Sequence, residues 1–554
     1  MTADIIITNG AVLTMDEARP KAEAVAMRGN VIAAAGSHRD VIGLKGPQTR
    51  VIDAGGHTVL PGFIESHMHL FAGAAELDHL QLFGVRGFDA LQSAVRQYLA
   101  AHPGDDLVIG EQADYTILSD TEPVTRQQLD RIAAGRPFMM MAPDHHTAWA
   151  NTKALEMAGI LHGGSVGPGN EIVMAPDELA SGELREGEAM APVSALSASG
   201  NRDRLGLATG GEPDPAPTAV ELDHDLAVMK RGLAHCARHG ITSIHNMDGN
   251  FYTLELLDEI DRRGELSARV RVPFHFKNFM DLAILEKASA MQAKYSSEKL
   301  CSGFVKVFVD GVVDSATAVL VEDYADRPGW KGEPLFTAEH FAAVAVEADR
   351  RGLQIAVHAI GDGAVRIVLD GYAAARKTNG ARDSRHRVEH IEVIHPSDIS
   401  RFKELSVIAS MQPPHPPGSQ GLPLEPYLTR IGEQRWPHAF VWNTLREAGA
   451  RLVFASDWPV SDINPIRSIQ SAMTRKPWMA GLRDQRQTLA QALKAYTADG
   501  AYAEFMENRK GVLRPGMLAD AVVLSGNLET AEPENLHEIM PKVTICDGRA
   551  VFES

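Results

Sequence analysis

The sequence predicts an α/β protein, with a (β/α)8 barrel of the TIM type in the middle of the chain and a small β domain made from both ends. Three observations carry this expectation. Residues 58–508 alternate short β-branched runs with helical stretches, the pattern of parallel strands joined by helices. Both chain ends read instead as short strands broken by turns. Histidines and an aspartate recur at the ends of predicted strands, where a parallel barrel gathers its reactive groups.

Taken in order, residues 1–57 contain ADIIITNGAVLTM, which alternates around Asn-Gly, and AVAMRGNVIAAAG, which sets Arg-Gly-Asn between two apolar runs. Both are hairpin signals. Within 58–508 the candidate strands are TVLPGFIES, LVIGEQA, FMMMAP, ITSIHN, VRVPFHF, GFVKVFVDG, QIAVHA, RVEHIEVI, VIASMQP and LVFASD. Helical stretches separate many of them, such as TAEHFAAVAVEADRRG before QIAVHA. A barrel needs eight strands, so two of the ten belong elsewhere. The segment near 160–217, rich in Gly, Pro, Ser and acidic residues, reads as an insertion that would cover the active site. PPHPPGSQGLP at 413–423 reads as a rigid loop. Residues 509–554 return to β character, with GVLRPGMLADAVVLSG and then IMPKVTICDGRAVFES around an Asp-Gly turn. No internal repeat is visible.

Composition narrows the function. The chain has 554 residues, 44% hydrophobic and 23% charged, which is ordinary for a soluble globular protein. Its net charge of -18 would repel backbone phosphates, so no nucleic-acid partner is expected. Cys236, Cys301 and Cys546 stand far apart and make neither a disulfide framework nor a thiolate zinc site. The N-terminus lacks the pattern of a signal peptide, and no apolar run approaches the ~20 residues a membrane span requires. The cytoplasm is the expected compartment, and no membrane partner is expected.

The chemistry is concentrated in a few residues. His67 and His69 flank Met68 where TVLPGFIES runs out. Alternate residues of a strand share a face, so both imidazoles point the same way and can chelate one ion. Lys306 in GFVKVFVDG, His358 in IAVHAIGD, His390 in RVEHIEV and Asp457 in LVFASDWP each lie at or near the end of a further strand. Imidazole and carboxylate ligands without thiolates suit zinc, and manganese, iron or cobalt would also fit. The order of these residues outweighs the bland reading that each is a satisfied polar group.

The order His-x-His, Lys, His, His, Asp resembles the amidohydrolase superfamily in its binuclear form. PGFIESHMHL, DHHTAWANTKAL, VKVFVDG, HAIGDGA, SMQPPH and ASDWPV are similar to the YtcJ-like branch, to which N-substituted formamide deformylases belong. The resemblance covers essentially the whole chain and implies that both ends form a β-sandwich beside the barrel. It implies two divalent ions, zinc first, with His67 and His69 on the more buried one and His358 and His390 on the other. Lys306, carboxylated on its amine, would bridge them; the competing reading is an ion pair with Asp310, four residues on. Asp457 would be both ligand and general base, then acid. His146, with His145 as its rival, would orient or polarise the substrate carbonyl. Asp310, Trp149, Trp458 and His415 are the candidate substrate contacts, with core packing the alternative for each tryptophan. Glu65 stands where the family usually has an aspartate. The implied reaction is hydrolysis of a C–N amide bond in a small molecule, an N-formyl or N-acyl amine, by a protein that resembles homodimers. Cyclic-amide opening, deamination and a non-catalytic regulatory role on the same scaffold are the competing readings.

Overall fold

A computed structural model describes residues 2–103, 107–119, 121–143, 145, 147–167 and 170–554. They divide into two compact units, Met1–Leu70 with Leu233–Ser554, and Phe71–Gly232.

In the first unit the α/β region contains the strands β1 (Phe63–Met68), β2 (Ile241–Asn246), β3 (Arg269–Arg271), β4 (Phe274–His275), β5 (Leu300–Cys301), β6 (Phe304–Phe308), β7 (Gln354–Ala359), β8 (Arg387–His390), β9 (Ile408–Met411) and β10 (Arg451–Phe454). They form two sheets, β5-β3-β2-β1 and β4-β6-β7-β8-β9-β10, in which every pairing is parallel. Parallel strands are covered on both faces, and accordingly all of Gln354–Ala359 is buried. Helix α1 (Ala338–Arg350) precedes β7, and α2 (Asp362–Asn379) joins β7 to β8. The Thr337 side chain caps α1 by accepting the N–H of His340. Gly380, at φ +89°, ends α2 in a conformation that a Cβ would strain.

The chain ends build two further sheets in this unit. Val31–Gly36, Ala24–Arg28, Ile5–Thr8 and Arg50–Asp53 form one, in that order. Arg549–Glu553, Pro541–Cys546, Ala521–Leu524, Thr58–Pro61, Ala11–Leu13 and Lys21–Ala22 form the other. Side chains from both, among them Ile5, Ile7, Val25, Val59, Val523 and Ile545, share one buried apolar cluster. This burial joins the two ends of the sequence.

The second unit holds a six-stranded mixed sheet, in the order Glu171–Met174, Ala180–Arg185, Thr147–Ala150, Phe138–Met141, Val108–Glu111, Leu80–Gln81. The last three strands pair in parallel and the others antiparallel. The two surplus strands of the sequence, LVIGEQA and FMMMAP, are therefore found here. A short apolar run carries no mark of the sheet it will join. Among the described residues no helix is long and apolar enough to cross a membrane.

Candidate metal centre

The C-terminal ends of the parallel strands of the first unit bring the expected ligands together. His67 and His69, at the end of β1, present Nε2 atoms 3.2 and 3.1 Å from the same oxygen, Oδ1 of Asp457. Their Nδ1 atoms are held by carboxylates, His67 by Glu389 at 2.7 Å and His69 by Asp248 at 2.5 Å. An imidazole that donates from Nδ1 to a carboxylate keeps its Nε2 lone pair for an ion. Burial disfavours the charged form of His69, yet the charges of Asp248 and Asp457 prevail and raise its pKa to about 9.

Glu389 and His390 are consecutive and would face opposite sides of a regular strand. Both reach the centre because the backbone turns left-handed at β8's end, with φ +74° at His390 and +51° at Ile391. Asp457 is also left-handed, at φ +63°. Such conformations are costly for non-glycine residues and recur at functional sites. Glu389 is fully buried, which alone would raise its pKa. Arg387, whose Nε donates to it at 2.8 Å, together with His67, holds it well below the usual carboxylate range instead. Lys306 is equally buried, in the middle of β6, with Nζ 3.4 Å from Nε2 of His67. Burial lowers its pKa to about 8, opposed by the charges of Glu389, Asp457 and Asp248.

Asp457 belongs to two groups of potential ligands: His67 with His69, and His390 with His415. Nδ1 of His390 and Nε2 of His415 lie 4.0 and 3.8 Å from its Oδ2. Among the described residues neither nitrogen has a hydrogen-bond partner, although both are buried. Leaving such atoms unpaired costs about 1–3 kcal/mol each. Two ligands of one zinc ion stand roughly 3–4 Å apart, so these separations fit a shared cation better than hydrogen bonds. Burial pushes the His390 pKa well below its ordinary value, and the neighbouring His358 adds to this, so a neutral ligand faces the site. Asp457 is held ionised: burial opposes this, but His67, His69 and His390 outweigh it.

His358 lies within the same cluster, its ring 4.5 Å from that of His390, with Nε2 3.1 Å from the Gly311 carbonyl. The donor atom completing the second group comes from His415, in the Pro-rich loop. Asp310 is engaged elsewhere than with Lys306: its carboxylate accepts the backbone N–H groups of Val319, Ile360 and Gly361 at 2.9, 3.0 and 2.9 Å. It pins the loops after β6 and β7, and burial raises its pKa to about 7 against those three bonds. Trp458 stacks on His235 at 5.4 Å, and its carbonyl accepts the N–H of His69 at 2.8 Å. Trp149 lies in the second unit, buried among Leu91, Leu129 and Phe138 and edge-on to Tyr115, which is core packing. His146 lies outside the described residues. Glu65 is buried and accepts the N–H of Ser456 at 2.7 Å, tying β1 to the residue before Asp457.

Sequence reasoning missed Asp248 and Glu389, the carboxylates that hold His69 and His67. Asp248 had a usable signal, an acid just beyond the end of a parallel strand. Glu389 had one against it, since alternation assigns it to the face opposite His390.

A family model described as the amidohydrolase family matches residues 50–552, and the chain belongs to that family. It is 29% identical over 546 residues to the Arabidopsis thaliana protein LONG AFTER FAR-RED 3, covering 95% of this chain and 88% of that one. It is 27% identical over 570 residues to the N-substituted formamide deformylase of Arthrobacter pascens, covering 99% and 98% respectively. Among solved structures it is similar to an uncharacterized metal-dependent hydrolase from Pyrococcus furiosus, with a TM-score of 0.71, 25% identity and coverage of 93% and 97%.

Proposed function

We propose that this chain is a metal-dependent hydrolase that cleaves the C–N bond of a linear amide, an N-formyl or N-acyl amine. The observation that carries the reading is Asp457: ionised, buried, and shared by two groups of potential ligands, in one of which Nδ1 of His390 and Nε2 of His415 have no hydrogen-bond partner among the described residues. The deformylase relative supports the choice of bond and substrate class. In this reading the two parallel sheets are sections of one barrel. The N–H of Asp457 donates to the His67 carbonyl at 2.9 Å, so the end of β10 meets the end of β1.

Up to two divalent ions, zinc first, would be held by His67, His69, His390, His415, Asp457 and a carboxylated Lys306, with His358 at their side. Bound there, they would acidify a water and polarise the amide carbonyl. Asp457 takes the proton from the attacking water as the C–O bond forms. It then delivers that proton to the nitrogen as the C–N bond breaks, releasing an amine and a carboxylic acid whose remaining proton the amine takes up in solution, giving a carboxylate and an ammonium ion. Glu389 and Asp248 hold the two imidazoles in the tautomer that faces inward. Lys306 is suited to carboxylation, because burial favours the neutral amine that reacts with carbon dioxide.

The test is a screen of N-formyl and N-acyl amines with zinc- and bicarbonate-reconstituted protein, wild type against Asp457→Asn. The variant should lose at least about 100-fold in kcat with an unchanged circular-dichroism spectrum. Near wild-type turnover in the folded variant would refute the proton-transfer role, and no turnover of any amide by wild type would refute the substrate class.

A further inference from the structure

The second unit contains a cluster that the proposed reaction does not use. Its parallel strands end side by side, and ligands of open parallel sheets settle at such ends. Glu111 closes the strand Val108–Glu111, and His145 lies in the turn between Phe138–Met141 and Thr147–Ala150. Glu76 ends the helix Leu70–Glu76, and His79 just precedes Leu80–Gln81. One ligand atom each from Glu76, Glu111 and His145 lie within 4.8 Å of one another.

The hydrogen bonding leaves room for an ion. Nδ1 of His79 pairs with Oε1 of Glu111 at 2.8 Å, while Oε2 of Glu111 is buried with no hydrogen-bond partner among the described residues. Glu111 is only 2% exposed, so water does not relieve that oxygen. Arg204 takes Oε1 of Glu76 at 2.9 Å, and Nδ1 of His145 stands 3.9 Å from the same oxygen. The carboxylates of Glu76 and Glu111 thus stand on one side of the cluster with the guanidinium of Arg204 against Glu76. His79 reproduces around Glu111 the outer contact that commonly orients a metal-ligating carboxylate. The His145 and His79 side chains are each 18% exposed, so an ion could enter.

We propose that Glu76, Glu111 and His145 form a second, separate binding site for a divalent transition cation, with His79 and Arg204 orienting the two carboxylates. Two carboxylates and an imidazole suit zinc or manganese. No residue is common to this site and the centre around Asp457.

Zinc binding to the chelator-stripped full chain, by equilibrium dialysis with elemental analysis, tests it. Four proteins are compared: wild type, Glu111→Gln, the double variant His67→Ala/His69→Ala, and the triple variant combining all three changes. Glu111→Gln should bind one equivalent fewer than wild type, and the triple variant one fewer than the double. Equal stoichiometry within both pairs overturns the site and leaves a purely structural ion-pair cluster, as does a double variant that binds no zinc. A double variant that keeps every equivalent overturns the Asp457 centre instead and leaves this site standing. If Glu111→Gln does not fold, His145→Ala, at a partly exposed turn, carries the same expectation, with that equivalent bound at least about tenfold more weakly. Unchanged binding there also overturns the site.

Discussion

At the scale of single residues the centre depends on carboxylates that touch imidazoles. His69 illustrates the balance. In the metal-free protein Asp248 and Asp457 raise its pKa from 6.5 to about 9, so the ring carries a proton at neutral pH. A group whose pKa is raised on folding stabilises the metal-free protein most below 6.5, and this contribution is lost as pH rises through about 9. A cation must displace that proton, so zinc affinity should rise with pH below about 9, this residue contributing about one tenfold step per unit. Asp248→Asn should lower zinc affinity about 10–100-fold and reduce the pH slope by about one. Calorimetric titration at several pH values measures both. An unaltered slope would mean that Asp248 does not govern the ring.

At the scale of elements, the loops after β6 and β7 are held by one buried carboxylate. Asp310 gathers amides from Val319, Ile360 and Gly361, and His358 is the last residue but one of the strand that enters this turn. Gly361 is required by closeness: a Cβ there would meet the Val319 carbonyl oxygen at 2.1 Å. Since that obstacle is backbone, the loops themselves must move. Gly361→Ala should therefore cost about 1–3 kcal/mol, seen as a fall in melting temperature, and weaken metal retention on the His358 side. An unchanged melting curve would show that the loop yields freely. The left-handed residues His390 and Ile391 at the end of β8 are the other element-level device, letting two consecutive side chains, Glu389 and His390, serve one site.

At the scale of the whole molecule, an ion at this centre would tie distant parts of the chain. His67 and Glu389, already in contact, are 322 residues apart. An ion that binds only the folded state stabilises it by mass action, about 2.7 kcal/mol at a hundredfold excess over Kd. Chelation should thus lower the melting temperature, and zinc should restore it. Identical melting with and without chelator would argue against any ion at the centre. The same logic joins the chain ends, whose strands Thr58–Pro61 and Ala521–Leu524 pair directly.

Sequence alone determined what is local or periodic. β-branched runs marked eight strand regions of the first unit, because burial on both faces demands apolar residues whatever the neighbour. That His67, His69, His390 and Asp457 come together was legible because parallel strands gather the residues at their ends, without knowledge of partners. Tertiary structure alone decided which sheet LVIGEQA and FMMMAP would join, since their apolar character suits either. It also decided that Asp248 and Glu389 hold the imidazoles, that His415 joins His390 and Asp457, and that Asp310 binds loop amides rather than Lys306. Those choices rest on contacts between residues far apart in the chain and on left-handed turns at strand ends, and neither leaves a periodic trace in the sequence.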